Sequence, residues 1–184
     1  MPDPVIITPY NPDWPAQFEA IAVPIREKLG PLALSVEHIG STSVVGLSAK
    51  PIIDLDVVIS SRLLLPQVIE KLAELGYTHA GDQGISGREV FKKTADIRHH
   101  LYVCSVDTPN LHEHLLFRDY LRTHPAEAAA YGALKMKLAE QYGEDRDGFT
   151  DAKTEFVQSI LAQAKADLPL DPRPLALLPE ANHD

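Results

Sequence analysis

Asp54 and Asp56 stand two positions apart in Ile52-Ile-Asp-Leu-Asp-Val-Val-Ile59. The β-branched residues and the length of this run predict a strand. Side chains alternate across a strand, so both carboxylates fall on one face, with Ile53, Leu55, Val57 and Ile59 on the other. Two carboxylates so placed repel each other. Left alone, one stays protonated; with a divalent cation between them both ionise. The chemistry this suits is oxygen ligation of Mg²⁺ shared with a substrate phosphate. The plainer alternative is a solvent-facing strand edge. Against it, the flanking residues are those of a strand buried on both faces, where two aspartates without a cation are costly.

Upstream, Leu34 and Val36 lead into Ile39-Gly40-Ser41-Thr42-Ser43, a short strand running into a turn of small hydroxylated residues. Gly40 allows close backbone approach to a ligand. Successive N–H groups with the hydroxyls of Ser41, Thr42 and Ser43 can form a nest for phosphate oxygens. Such turns also commonly satisfy only their own backbone. The distance from Ser41 to Asp54 leaves room for the turn, a helical turn and entry into the next strand, which sets the phosphate nest beside the carboxylate pair.

Cations are needed for phosphate oxygens that the metal does not take. Lys50 immediately precedes the carboxylate strand. Lys135 borders the helical stripe of Tyr131, Leu134, Leu138 and Tyr142, and Lys153 borders that of Phe149, Ala152, Phe156, Ile160 and Ala164. The alternative for all three is that their stems cover core edges while the ammoniums reach water. Arg118 and Arg122 share a helix face and could pair with Asp119, Glu113 or the sheet.

The segment Gly40-Ser-Thr-Ser-Val-Val-Gly-Leu-Ser-Ala-Lys-Pro-Ile-Ile-Asp-Leu-Asp56 resembles the nucleotidyltransferase signature, a Gly-Ser turn followed by Asp-x-Asp in an apolar strand. More narrowly it resembles the GrpB family, a nucleotidyltransferase-like group also found fused to dephospho-CoA kinases. Pro9-Tyr-Asn-Pro-Asp-Trp14, Phe117-Arg-Asp-Tyr-Leu-Arg122 and the region from Lys135 to Phe156 resemble it too, so the likeness spans roughly residues 5 to 166. The resemblance implies Mg²⁺, a nucleoside triphosphate held at Gly40, Ser41, Thr42, Ser43, Lys50, Lys135 and Lys153, and transfer of a nucleoside monophosphate to an unknown acceptor. It equally admits a non-catalytic nucleotide-binding or CoA-pathway accessory module.

Active nucleotidyltransferases usually add a third carboxylate from a later strand. By order that strand is His99-His-Leu-Tyr-Val-Cys104, which carries no acid. The family tends to place histidines here, and this chain has Tyr102 where one is expected. His100 therefore joins Asp54 and Asp56 as the candidate catalytic set, as metal ligand or base. Glu37 and Glu89 are the substitutes from other strands.

These residues need a scaffold, and the pattern predicts an α/β (α+β) fold: a mixed sheet flanked by helices, then a C-terminal helical part. Residues 1–107 form the core, 108–167 the helical part and 168–184 a proline-rich tail without period. Val5–Thr8 is a short strand candidate. Asp13 is placed to cap a helix carrying Trp14, Phe18, Ile21, Ile25 and Leu29, which Pro24 should kink or divide. Trp14 reads as a core anchor rather than a base-stacking residue. A helix over Leu63–Leu75 ends at Gly76; strands follow at Tyr77–Ala80, Arg88–Thr94 and His99–Val106. Helices then run from about His112, Pro125 and Gly148, with Asp147 capping the last.

The 184-residue chain is large enough for one sizeable core. Its net charge of −9 argues against nucleic-acid binding through bulk electrostatics. The single cysteine, Cys104, can form no internal disulfide. No apolar run approaches a membrane span and the start lacks the pattern of a signal peptide, so a soluble, cytoplasmic protein is the expectation.

Overall fold

The computed structural model describes residues 5–167; the tail expected over 168–184 lies outside them. Helix α1 (Trp14–Leu29) is followed by strands β1 (Ser35–Ile39) and β2 (Ile53–Ile59), helix α2 (Leu65–Glu74), and strands β3 (Thr78–His79), β4 (Arg88–Lys92) and β5 (His99–Ser105). Three helices complete the chain: α3 (Pro109–Thr123), α4 (Pro125–Tyr142) and α5 (Arg146–Asp167). The strands form one sheet in the order β1-β2-β5-β4-β3. Only β2 and β5 are parallel; the other neighbours are antiparallel. The mixed α+β sheet expected from the strand pattern is therefore the fold.

Strand alternation divides the sheet into two working faces. Ile53, Leu55, Val57, Ile59, Leu101 and Val103 pack under α1 and α2 with Trp14, Phe18, Ile25, Val68 and Leu72. On the other face Val58 and Cys104 meet Leu111 and Leu115 of α3. The carboxylates of β2 point to this second side. Among the described residues no helix is long and apolar enough to cross a membrane.

Several local expectations are corrected. Pro24 does not divide α1, which runs unbroken from Trp14 to Leu29. Pro24 sits on the solvent side, where a carbonyl robbed of its helical partner is met by water. Asp13 makes no side-chain cap; its own N–H is held instead by Asn11 Oδ1 at 2.9 Å. The side-chain contact at the start of α5 comes from Asp145, whose Oδ1 accepts from Gly148 N–H at 2.9 Å, not from Asp147. Val5–Thr8 forms no strand, only a bridge from Thr8 to Ala49.

Trp14 is 1% exposed and packs edge-on against Tyr10 at 5.4 Å between ring centroids. It is a core anchor. Trp14→Ala is expected to lower the unfolding free energy by about 3–5 kcal/mol, the usual cost of emptying a buried aromatic site, measured from urea denaturation midpoints.

Candidate functional site

β2 lies beside β1 and β5, and its register sets the site. Asp54 stands opposite His100 and Asp56 opposite Tyr102 on β5, while Asp56 also stands opposite Glu37 on β1. The two aspartates have separate surroundings. Asp56 is fully buried beneath α3, where His114 Nδ1 and Asp56 Oδ2 share a proton across 2.7 Å. Its Oδ1 is buried without a hydrogen-bond partner. Burial raises the Asp56 carboxyl above its ordinary range; the hydrogen bond and charge of His114 work against this, and Asp54 adds a smaller upward push. The upward push on Asp56 comes from desolvation first and from repulsion by Asp54 second.

Asp54 is half-buried and opens into a cleft. His100 Nδ1–H donates to Asp54 Oδ1 at 2.8 Å, and the His100 side chain is 54% exposed. On the other side is Gly40, at φ +70°. A Cβ there would stand 2.5 Å from Asp54 Oδ2. The close approach Gly40 permits in this structure is to the Asp54 carboxylate, a demand that the turn residues alone did not reveal.

The hydroxyls of the turn do not all face a ligand. Ser43 Oγ donates to the Gly40 carbonyl oxygen at 2.6 Å, and Ser43 is not among the cleft residues. Thr42 lines the cleft, but its Oγ1 is tied to His38 Nε2 at 2.9 Å. His38 stacks on Phe18, and burial lowers its pKa to about 4, so the ring is neutral. The N–H groups of Ser43 and Val44 close the turn on Gly40 and Ser41. Ser41 keeps its place in the cleft, where it accepts a hydrogen bond from Lys135 Nζ at 2.7 Å.

Lys50, Lys135 and Lys153 all line this cleft, and Asp54 is its sole lining carboxylate. Lys135 Nζ also donates to the Ser48 carbonyl oxygen and lies 4.5 Å from the centre of the Tyr131 ring. Lys50 and Lys153 share the Phe149 ring, at 4.7 and 4.4 Å from its centre. Burial, then repulsion from Lys153 and Lys50, lowers Lys135 to about 7, with Asp54 opposing. Burial and then Lys50 lower Lys153 to about 8. Lys50 is lowered too, by burial and then Arg146. Three lysines are thus crowded into a partly dry cleft against one carboxylate, an arrangement that a polyanion would relieve.

Of the residues named from sequence, Ser41, Thr42, Lys50, Asp54, His100, Lys135 and Lys153 come together around one cavity. Gly40 backs it through Asp54, Asp56 lies buried behind it, and Ser43 faces away. Neither substitute acid is in the cleft. Glu37 Oε2 accepts from Arg118 Nη1 at 2.8 Å; Glu89 is held by Arg62 at 3.0 Å and His79 at 2.7 Å. Arg118 accordingly pairs with the sheet as well as with Asp119. Sequence reasoning missed His114, and it read Tyr131 and Phe149 only as core, although both line the cleft.

The chain matches the GrpB protein family model over residues 4–163. It belongs to the GrpB family. The glutamate-rich protein GrpB of Alkalihalophilus pseudofirmus is 34% identical, with 85% of this chain and 94% of the relative covered. YqkA of Bacillus subtilis is 36% identical over 85% of this chain, which spans only 46% of YqkA. A dephospho-CoA kinase of Mycolicibacterium paratuberculosis is 26% identical, with 88% of this chain and 46% of the kinase covered. The crystal structure of the conserved protein GrpB from Enterococcus faecalis superposes with a TM-score of 0.78 at 38% identity, covering 86% of this chain and 96% of that one.

Among the described residues no group of three or more His, Cys, Asp or Glu side chains is gathered as a metal site. The donor set is nonetheless suited to Mg²⁺ shared with a phosphate, which needs only one or two protein carboxylates. The partnerless Asp56 Oδ1, on the same strand face as Asp54, is the observation that favours such an ion. His100 and His114 would orient the two carboxylates from behind.

Two outcomes follow from this geometry. Gly40→Ala should destabilise the protein by at least about 1–2 kcal/mol through its positive φ alone, with the Asp54 clash added, as read by thermal unfolding. The lysines set a pH dependence: the unfolded chain keeps their protons to the usual lysine range, the folded chain releases them near 7 and 8. Between those limits the unfolded state binds more protons, so stability contributed by these groups rises as pH increases from about 7 to 9. Lys135→Gln should flatten that rise in denaturation measured across the same window.

Proposed function

We propose that the cleft binds the triphosphate of a nucleoside triphosphate together with Mg²⁺, and that the nucleoside monophosphate is passed to an acceptor. The observation that carries this reading is the trio of desolvated lysines facing a half-exposed aspartate at a Gly-Ser turn. Lys50, Lys135 and Lys153, carried on the β2 approach, α4 and α5, would bind phosphate oxygens from separate directions. Ser41 would add a hydroxyl, and Asp54 and Asp56 would hold the metal, whose contribution when bound is to offset charge on the phosphates. Family membership and the Gly-Ser to Asp-x-Asp pattern support the same reading.

In the transfer, an acceptor oxygen forms a bond to the α-phosphorus, the bond from that phosphorus to the bridging oxygen breaks, and pyrophosphate leaves. His100 would take the acceptor's proton: Asp54 holds its Nδ1, which leaves Nε2 to serve as the base. No acid of β5 competes for that role. A specific observation also supports a second reading, a nucleotide-binding module without turnover. Asp56 is closed off under His114 and Tyr102, and its engagement requires α3 to give way. The match to part of a dephospho-CoA kinase fits a module that serves another enzyme.

Calorimetry with ATP and Mg²⁺ tests the common ground: binding should weaken at least about tenfold in Lys153→Gln, a charge-assisted phosphate contact being worth about 1.5–3 kcal/mol. Undiminished affinity would remove the lysine cleft from the account. Pyrophosphate release with candidate acceptors then separates the two readings. If turnover occurs, His100→Gln should slow it at least about tenfold with nucleotide affinity within a few-fold.

A further inference from the structure

The triphosphate cleft has a neighbour that no part of the nucleotide reading uses. A second cavity, of about 270 Å³, lies along β4 and β5. Arg88, Lys92, Lys93, His99, His100 and Tyr102 line it, and among the described residues no carboxylate does. In a chain of net charge −9, three cations around one groove without a lining acid are a local inversion of sign.

Arg88 is the key group. Its guanidinium lies 4.6 Å from the centre of the Tyr102 ring, so the tyrosine fixes it in place. Its Nε is buried and has no hydrogen-bond partner. A buried N–H of a charged group left unpaired is costly, and an oxyanion is the partner that answers it best, since guanidinium donors match carboxylate and phosphate oxygens. Lys92 follows four residues later on β4, so strand alternation turns it to the same face, and it is exposed.

Position gives the groove its role. His100 lines both this cavity and the triphosphate cleft and is held by Asp54. Whatever occupies the groove therefore meets, at His100, whatever occupies the cleft. We propose that the β4–β5 groove is the acceptor site, and that the acceptor is a small hydroxyl compound carrying an oxyanion group, phosphate or carboxylate, which Arg88 and Lys92 bind. This rests on the nucleotide reading of the adjacent cleft. The oxyanion anchors the acceptor at Arg88 and its free hydroxyl reaches toward His100. That hydroxyl oxygen bonds to the α-phosphorus, its proton passes to His100, and pyrophosphate departs.

The test follows the Arg88 Nε–H signal by NMR while inorganic phosphate, and separately acetate, is added to the full chain. Saturable shifts with phosphate alone assign a phosphate-bearing acceptor; shifts with acetate alone or with both assign or admit a carboxylate. Lys92→Gln, at an exposed position, should weaken the response at least about tenfold. Lys153→Gln should leave it unchanged while impairing ATP binding in calorimetry, which keeps the two sites apart. No saturable shift with either anion, or shifts lost in Lys153→Gln but kept in Lys92→Gln, overturns the groove. Anion binding at Arg88 in a protein that binds no ATP at all overturns its role as an acceptor site, and then the nucleotide reading fails rather than the groove.

Discussion

Like charges crowded into one partly buried cleft are the constraint on which this structure turns. Lys50, Lys135 and Lys153 lean on Phe149 and Tyr131 at one wall of the cleft, and a single aspartate answers them. Behind it a second aspartate is sealed under α3 with one oxygen partnerless. Both arrangements are costly to hold, since desolvated charges destabilise unless paired. The surrounding core has to hold them. The α1–α2 layer fixes β2 from one side, and Leu111 and Leu115 press α3 on the other. Stability is held back at the site and supplied around it.

Each aspartate has a histidine of its own, and the two histidines differ. His100 comes from the neighbouring parallel strand and is exposed; His114 comes from a helix and forms a lid on Asp56. The exposed pair faces the cleft, whereas the covered pair lies sealed under α3. One strand thus carries an aspartate open to the cleft lysines and another sealed away from them. The proposed metal-bound state asks Asp56 to exchange burial for ligation.

What could be read from the sequence was what periodicity and proximity carry. The alternation in Ile53–Ile59 placed Asp54 and Asp56 on one face, and the stripes of α4 and α5 turned Lys135 and Lys153 toward the fold. The small turn at Gly40 was visible, but not its reason: the demand comes from Asp54, across a strand pair whose register no local pattern states. His114 left no signal because its partner lies 58 positions away, and only the packing of α3 brings them together. Pro24 leaves α1 undivided because it lies on the side of the helix that meets water. Glu37 and Glu89 looked available as acids until Arg118, Arg62 and His79 were seen to hold them.

On the proposed reading the lysine cleft takes up a polyanion and, with it, the protons that its buried lysines hold weakly. The most direct measurement is the proton balance of ATP binding with Mg²⁺ at pH 8, from calorimetry in two buffers of different ionisation enthalpy. With Lys135 near 7 and Lys153 near 8 in the free protein, bound phosphates should recharge them, for a net uptake of about 1.4 protons, roughly 0.9 at Lys135 and roughly 0.5 at Lys153. Binding without proton uptake, or with release, would contradict it.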